Sequence, residues 1–187
     1  GLNVEKYHEY KQEIVNAFKN KSFQYKLPSE DEHNELTIKN VICVPQGIGA
    51  YYDQILDMKG RPSQNELANS RFGLIDIGGK TIDAFISQGT EPIIGTDIGT
   101  DFGMADAFKN VSNKLEVDVP YNLISENYIQ GKEEVFWRGE DRRFKELVEE
   151  EFKDYAGKIH DLIINEWEQQ LARIRTILLC GGGAKFL

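Results

Sequence analysis

The chain has 187 residues, 40% of them hydrophobic and 28% charged, with a formal net charge of −9. That length suits one domain with a proper core, or one domain carrying a small subdomain. No run approaches the roughly 20 apolar residues of a membrane helix, no basic stretch precedes an apolar core at the start, and the acidic balance argues against broad contact with a nucleic-acid backbone. A cytoplasmic protein with no membrane partner and no direct nucleic-acid contact is expected. The chain opens on Gly1 rather than Met and closes on what reads as a helix just beginning, Gly183-Ala184-Lys185-Phe186-Leu187. An excised fragment of a longer protein is therefore expected.

Residues 3–19 place Val4, Tyr7, Tyr10, Ile14, Val15 and Phe18 at intervals of three and four, an amphipathic helix. Strands are predicted over 23–27, 36–38 and 41–44, the last ended by Pro45, with a polar turn at 28–34. A helix is expected from 47 to about 58, then a loop or short helix to 70. Strands follow at 72–77, 81–87 and 91–95. A helix is expected over 99–113, a mixed stretch with a helix near 121–130, and a long helix from about 141 to 173. A final buried strand, 176–180, meets Gly181-Gly182-Gly183. Cys43 and Cys180 each sit in an apolar run and read as two buried strand thiols in a reducing cytosol.

Three segments carry candidate chemistry. In Leu74-Ile75-Asp76-Ile77-Gly78-Gly79-Lys80-Thr81-Ile82-Asp83 a strand ends in an acid and two glycines. Glycine admits anionic oxygens to the backbone N–H groups, and an Asp at a strand end can hold Mg²⁺ through its water shell. The competing reading is a plain hairpin, for which Gly-Gly is a favoured turn. In Ile177-Leu178-Leu179-Cys180-Gly181-Gly182-Gly183-Ala184 a strand feeds a glycine run that opens a helix, either a tight turn or a ligand-facing loop. In Val44-Pro45-Gln46-Gly47-Ile48-Gly49 the dinucleotide fingerprint fails, because Tyr52 stands at the third glycine position. Gln46 could instead orient a water without adding charge. His8, His33 and His160 lack ligand spacing, and no serine-nucleophile elbow is present.

Taken together, these segments resemble the actin-like ATPase superfamily, and within it ParM-type plasmid-segregation actins and related archaeal actins. The features that carry the likeness are Gly1-Leu2, Pro45-Gln46, the Asp76–Asp83 loop, Gly95 to Gly103, and Gly181-Gly182-Gly183-Ala184. The resemblance implies a ribonuclease H-like, α/β actin fold. Its five-stranded mixed sheet, flanked by helices, would span residues 1–105 plus 165–187, with a smaller, mainly helical subdomain at 106–164.

It also implies ATP/ADP and Mg as cofactors. Asp76 would hold the Mg²⁺ through water, and Gly78, Gly79, Lys80 and Thr81 would meet phosphate oxygens. Gly181, Gly182, Gly183 and Ala184 would line the adenosine, and Gln46 would position the attacking water. Ribose contacts are expected near Glu126 to Lys132. The second half of a filament-forming ATPase is implied, self-associating and acting in plasmid DNA segregation with a DNA-binding adaptor. Its first domain, with a phosphate loop of its own, would lie outside the chain, so the piece alone should be inactive. The alternatives are a kinase or phosphatase of the same fold, or a nucleotide-binding scaffold.

Overall fold

A computed structural model describes residues 4–29, 32–63, 66–115 and 117–186. The expected Gly1-Leu2 start, part of the acidic turn at 30–31, and Leu187 lie outside the described residues. The chain divides into two compact units, residues 1–46 and 47–187.

In the first unit, helix α1 (Val4–Phe18) follows the predicted period and buries Val4 and Tyr7. Strands β1 (Ser22–Tyr25) and β2 (Asn34–Thr37) pair antiparallel, and the Ser22 and Thr37 hydroxyls meet across them at 2.8 Å. The strand expected at 41–44 is not formed. Residues 41–44 make no ladder, and Ile42 is 86% exposed. A β-branched run becomes a strand only when a neighbour supplies hydrogen bonds and a surface to pack on.

The second unit is built on a mixed five-stranded sheet flanked by helices, as expected. Helix α2 (Ile48–Ile55) and a 3₁₀ turn (Glu66–Asn69) lead into β3 (Arg71–Ile77), whose burial is nearly continuous. Strand β4 (Ile82–Gln88) returns antiparallel with Asp76 opposite Asp83. The single strand expected at 91–95 is instead two short ones, β5 (Glu91–Pro92) and β6 (Ile98–Gly99), both paired with β4. Thr96 bridges the gap between them. Its hydroxyl accepts the Ile86 N–H at 3.0 Å and donates to the Ile93 carbonyl at 2.7 Å.

Helix α3 (Met104–Lys114) starts later than the expected 99, because Ile98 and Gly99 pair with β4 as β6, and helix α4 (Tyr121–Ile129) follows as predicted. Strands β7 (Glu134–Trp137) and β8 (Glu140–Arg143) then form a hairpin where a mixed stretch and the start of a long helix were expected. Its turn residues Arg138 and Gly139 have φ of 52° and 91°, the left-handed pair of a two-residue hairpin loop. The long helix therefore starts later, as α5 (Lys145–Leu171).

Strand β9 (Thr176–Cys180) runs parallel to β3, with Cys180 opposite Asp76. It was expected to be buried, but within the described sheet it is an edge strand, with Ile177 43% and Leu179 54% exposed. The two cysteines are half-exposed free thiols rather than buried ones, and Cys43 lies in no strand.

The core lies between this sheet and α3 and α5. Val148, Phe152, Tyr155, Ile159, Ile163 and Trp167 form the buried stripe of α5. Trp167 is fully buried, donates its indole N–H to the Thr96 carbonyl at 2.8 Å, and lies against Gly73 of β3. No helix among the described residues is long and apolar enough to cross a membrane.

Candidate functional site

The turn from β3 to β4 is not a plain hairpin. Gly78 N–H donates to the Thr81 carbonyl at 2.9 Å. A two-residue hairpin would also return a bond from Thr81 N–H to the Gly78 carbonyl, and its favoured forms need a positive φ at one or both central residues. Here Gly79 and Lys80 both keep φ outside the left-handed region. The Gly78 carbonyl accepts Met104 N–H at 3.0 Å, and the Gly79 carbonyl accepts Ala105 N–H at 2.8 Å, both from the first turn of α3. Among the described residues no acceptor meets the N–H of Gly79 or Lys80. A side chain on Gly79 would enter open space, so local packing does not demand glycine there.

The second glycine run interlocks with the first. Gly181 has a φ of +87°, and a side chain there would strike the Asp76 carboxylate and the Ile77 carbonyl. Gly183 N–H donates to the Ile77 carbonyl at 2.8 Å, and a Cβ on Gly183 would lie 2.8 Å from Met104 Cγ. A 3₁₀ turn (Ala184–Phe186) follows and sets the Phe186 ring against Phe108, Tyr128 and Phe152, with centroids at 6.1, 5.9 and 5.4 Å. Aromatic packing thus ties the glycine run to α3, α4 and α5.

Asp76 stands between these turns, at the carboxyl end of β3. Two glycines border its carboxylate: Gly181, and Gly47, whose φ is +83° and whose Cβ would lie 3.6 Å from Asp76 Oδ2. Asp83 is its neighbour across β4 and Cys180 its neighbour across β9. Burial raises the Asp83 carboxyl above its ordinary range, the Thr81 hydroxyl at 3.2 Å partly offsets this, and the negative Asp76 adds to the rise. Burial, with Asp76 beside it, pushes the Cys180 thiol up to about 12.

The structure therefore gathers Asp76, Gly78, Gly79, Lys80, Thr81, Gly181, Gly182, Gly183 and Ala184 at the carboxyl ends of two parallel strands, where ligands of open α/β sheets bind. Gln46 is the last residue of the other unit and is half-buried there. Among the described residues no three His, Cys, Asp or Glu side chains come close enough to form a metal cage. Asp76 supplies a single carboxylate between these turns, and a Mg²⁺ that keeps several waters needs few protein carboxylates. Sequence reasoning did not assign a role to Gly47 or Gly103. Both lie in segments it noted, but only the packing shows what they touch.

The family profile of archaeal actin homologues, MreB-like, C-terminal, matches residues 74–187, more than half of the chain. The chain belongs to this family. Its structure is similar to that of Ta0583, an archaeal actin homologue, with a TM-score of 0.81 at 22% identity over 100% of this chain and 57% of that one. A complex of Ta0583 with ADP matches with a TM-score of 0.75 at 21% identity, over 100% of this chain and 59% of that one. A 15-stranded ParM filament from Clostridium botulinum matches with a TM-score of 0.66 at 20% identity, over 99% and 56%. The fold is thus the actin fold, and the chain spans just over half the length of these proteins. No curated protein matches the chain.

Proposed function

We propose that this chain supplies one wall of a Mg-ATP site in an actin-like ATPase that polymerises into filaments. The observation that carries this reading is the pair of N–H groups on Gly79 and Lys80, left without acceptors in a glycine turn whose carbonyls are engaged elsewhere. Such a pair is a ready anion cradle. Asp76 beside it would hold Mg²⁺ through water, with Thr81 and the Lys80 side chain adding donors. Gly181, Gly182, Gly183 and Ala184 would face the adenosine. The ADP complex of Ta0583 supports a nucleotide in this fold.

Gln46 would orient the attacking water, since phosphoryl transfer relies mainly on positioning and charge stabilisation. Segregation of plasmid DNA through an adaptor protein, in the cytoplasm, would be the corresponding cellular role; likeness to a ParM filament supports the filament part of this reading. Residues 106–164 would form the smaller subdomain, set on a core of 1–105 plus 165–187.

Isothermal titration of the full-length protein with Mg-ATP tests the site, and ATP-dependent light scattering tests assembly. Asp76→Ala is expected to lower ATP turnover about a hundredfold, as when one preorganised charge-stabilising group is removed. A wild-type protein that neither binds Mg-ATP nor scatters light would end this reading.

A further inference from the structure

The nucleotide reading leaves open what holds the Gly79 and Lys80 amides outward. A trans peptide plane points its C=O and N–H in opposite directions. The Gly78 carbonyl shares a plane with Gly79 N–H, and the Gly79 carbonyl shares one with Lys80 N–H. Fixing both carbonyls on one side therefore fixes both N–H groups on the other. The anchors are the Met104 and Ala105 amides, at 3.0 and 2.8 Å.

We infer that Gly103 and Asp106 are positioning residues that dock the first turn of α3 behind this loop and so present its two amides to a phosphate. Gly103 is buried, and a Cβ on it would lie 2.6 Å from the Gly79 carbonyl carbon and oxygen and from the Lys80 carbonyl carbon. Only a residue without a side chain lets the helix approach that closely. Asp106 accepts the Gly103 N–H at 3.0 Å, the half of a capping box that holds the turn closed. Lys109, at 2.7 Å, keeps the Asp106 carboxyl below its usual range, with the Gly103 N–H adding to this. The anchoring bonds also run in series from helix N–H to loop C=O, then from loop N–H to ligand. Polarisation along such a chain strengthens the last donor.

This inference rests on the nucleotide reading, and the test separates the two. In the full-length protein, affinities for Mg-ATP and for adenosine are measured in wild type, Gly103→Ala, Asp106→Ala and Asp106→Glu. Gly103→Ala is expected to weaken Mg-ATP binding about tenfold or more, the scale of a lost charge-assisted bond, with adenosine binding unchanged. Asp106→Ala is expected to act in the same direction and Asp106→Glu to restore it. Amide hydrogen exchange at Met104 and Ala105 is expected to quicken in Asp106→Ala.

Unchanged Mg-ATP affinity in both Gly103→Ala and Asp106→Ala would overturn the inference while leaving the nucleotide reading intact. Equal loss of adenosine and Mg-ATP would also overturn it, because a merely structural defect spares neither. If Gly103→Ala fails to fold, the exposed Asp106 pair and the exchange measurement decide alone. Wild-type protein that binds no Mg-ATP would remove the nucleotide reading and the inference with it.

Discussion

Three strands bring Asp83, Asp76 and Cys180 side by side, so the charge of the middle residue acts on both neighbours. Asp83 shows the consequence most directly. Its folded carboxyl is held above the ordinary carboxylate range, by burial first and by Asp76 in addition. Between the ordinary value and the raised one, the folded chain keeps a proton that the unfolded chain has released. Stability therefore falls as pH rises through that window and stays lower above it. Asp83→Asn is expected to raise the thermal midpoint at neutral pH in magnesium-free buffer. The gain should vanish in acid below the ordinary carboxylate range, where wild-type Asp83 is neutral in both states. A midpoint difference that does not change with pH would contradict this. The Asp76 loop was legible in the sequence as an acid followed by two glycines. The raised Asp83 was not, because its cause is burial and a neighbour set by strand register.

At the scale of elements, the helices were the most legible. The intervals of three and four in α5 survive as a single buried stripe from Val148 to Trp167. Strands were less so. Residues 41–44 carry strand-forming side chains and make no ladder, while β8, Glu140-Asp141-Arg142-Arg143, carries none and still pairs with β7. Composition decides what a strand can do, but the partner decides whether it forms. The Arg138-Gly139 turn could have signalled that hairpin, yet Arg at a left-handed position is not a usual turn residue.

Packing between elements was out of reach of pattern alone. The clearest case is Gly73, whose added Cβ would lie 2.7 Å from Trp167 Cζ3. Gly73→Ala must displace a buried indole that is also hydrogen-bonded to Thr96. A loss of about 1–3 kcal/mol is expected from such overpacking, read as a lower urea midpoint with an unchanged slope. An unaltered midpoint would show that the indole shifts freely.

At the scale of the whole chain, fold class was legible because several weak motifs occur in one order, each at the end of a strand or the start of a helix. The division into units 1–46 and 47–187 falls inside Pro45-Gln46-Gly47-Ile48-Gly49, a Pro- and Gly-rich stretch that reads from sequence alone as a strand end and a helix start rather than as a boundary. The interlock of the glycine turns was invisible for another reason. Ile77 and Gly183 are far apart in sequence, and only the parallel pairing of β3 with β9 makes them neighbours.

That pairing has a kinetic consequence. A parallel contact between remote segments must first overcome loop-closure entropy and forms slowly compared with local helices and hairpins. The meeting of the two glycine turns is therefore expected at the end of folding, after α3, α5 and the β3–β4 turn are in place. In refolding from urea, helical circular dichroism is expected to recover before a fluorescent nucleotide analogue begins to bind. Recovery of both signals in one phase would show that β9 docks early. On the proposed function, then, a nucleotide would not act as a template while the chain is still folding; it would select only molecules that have already finished.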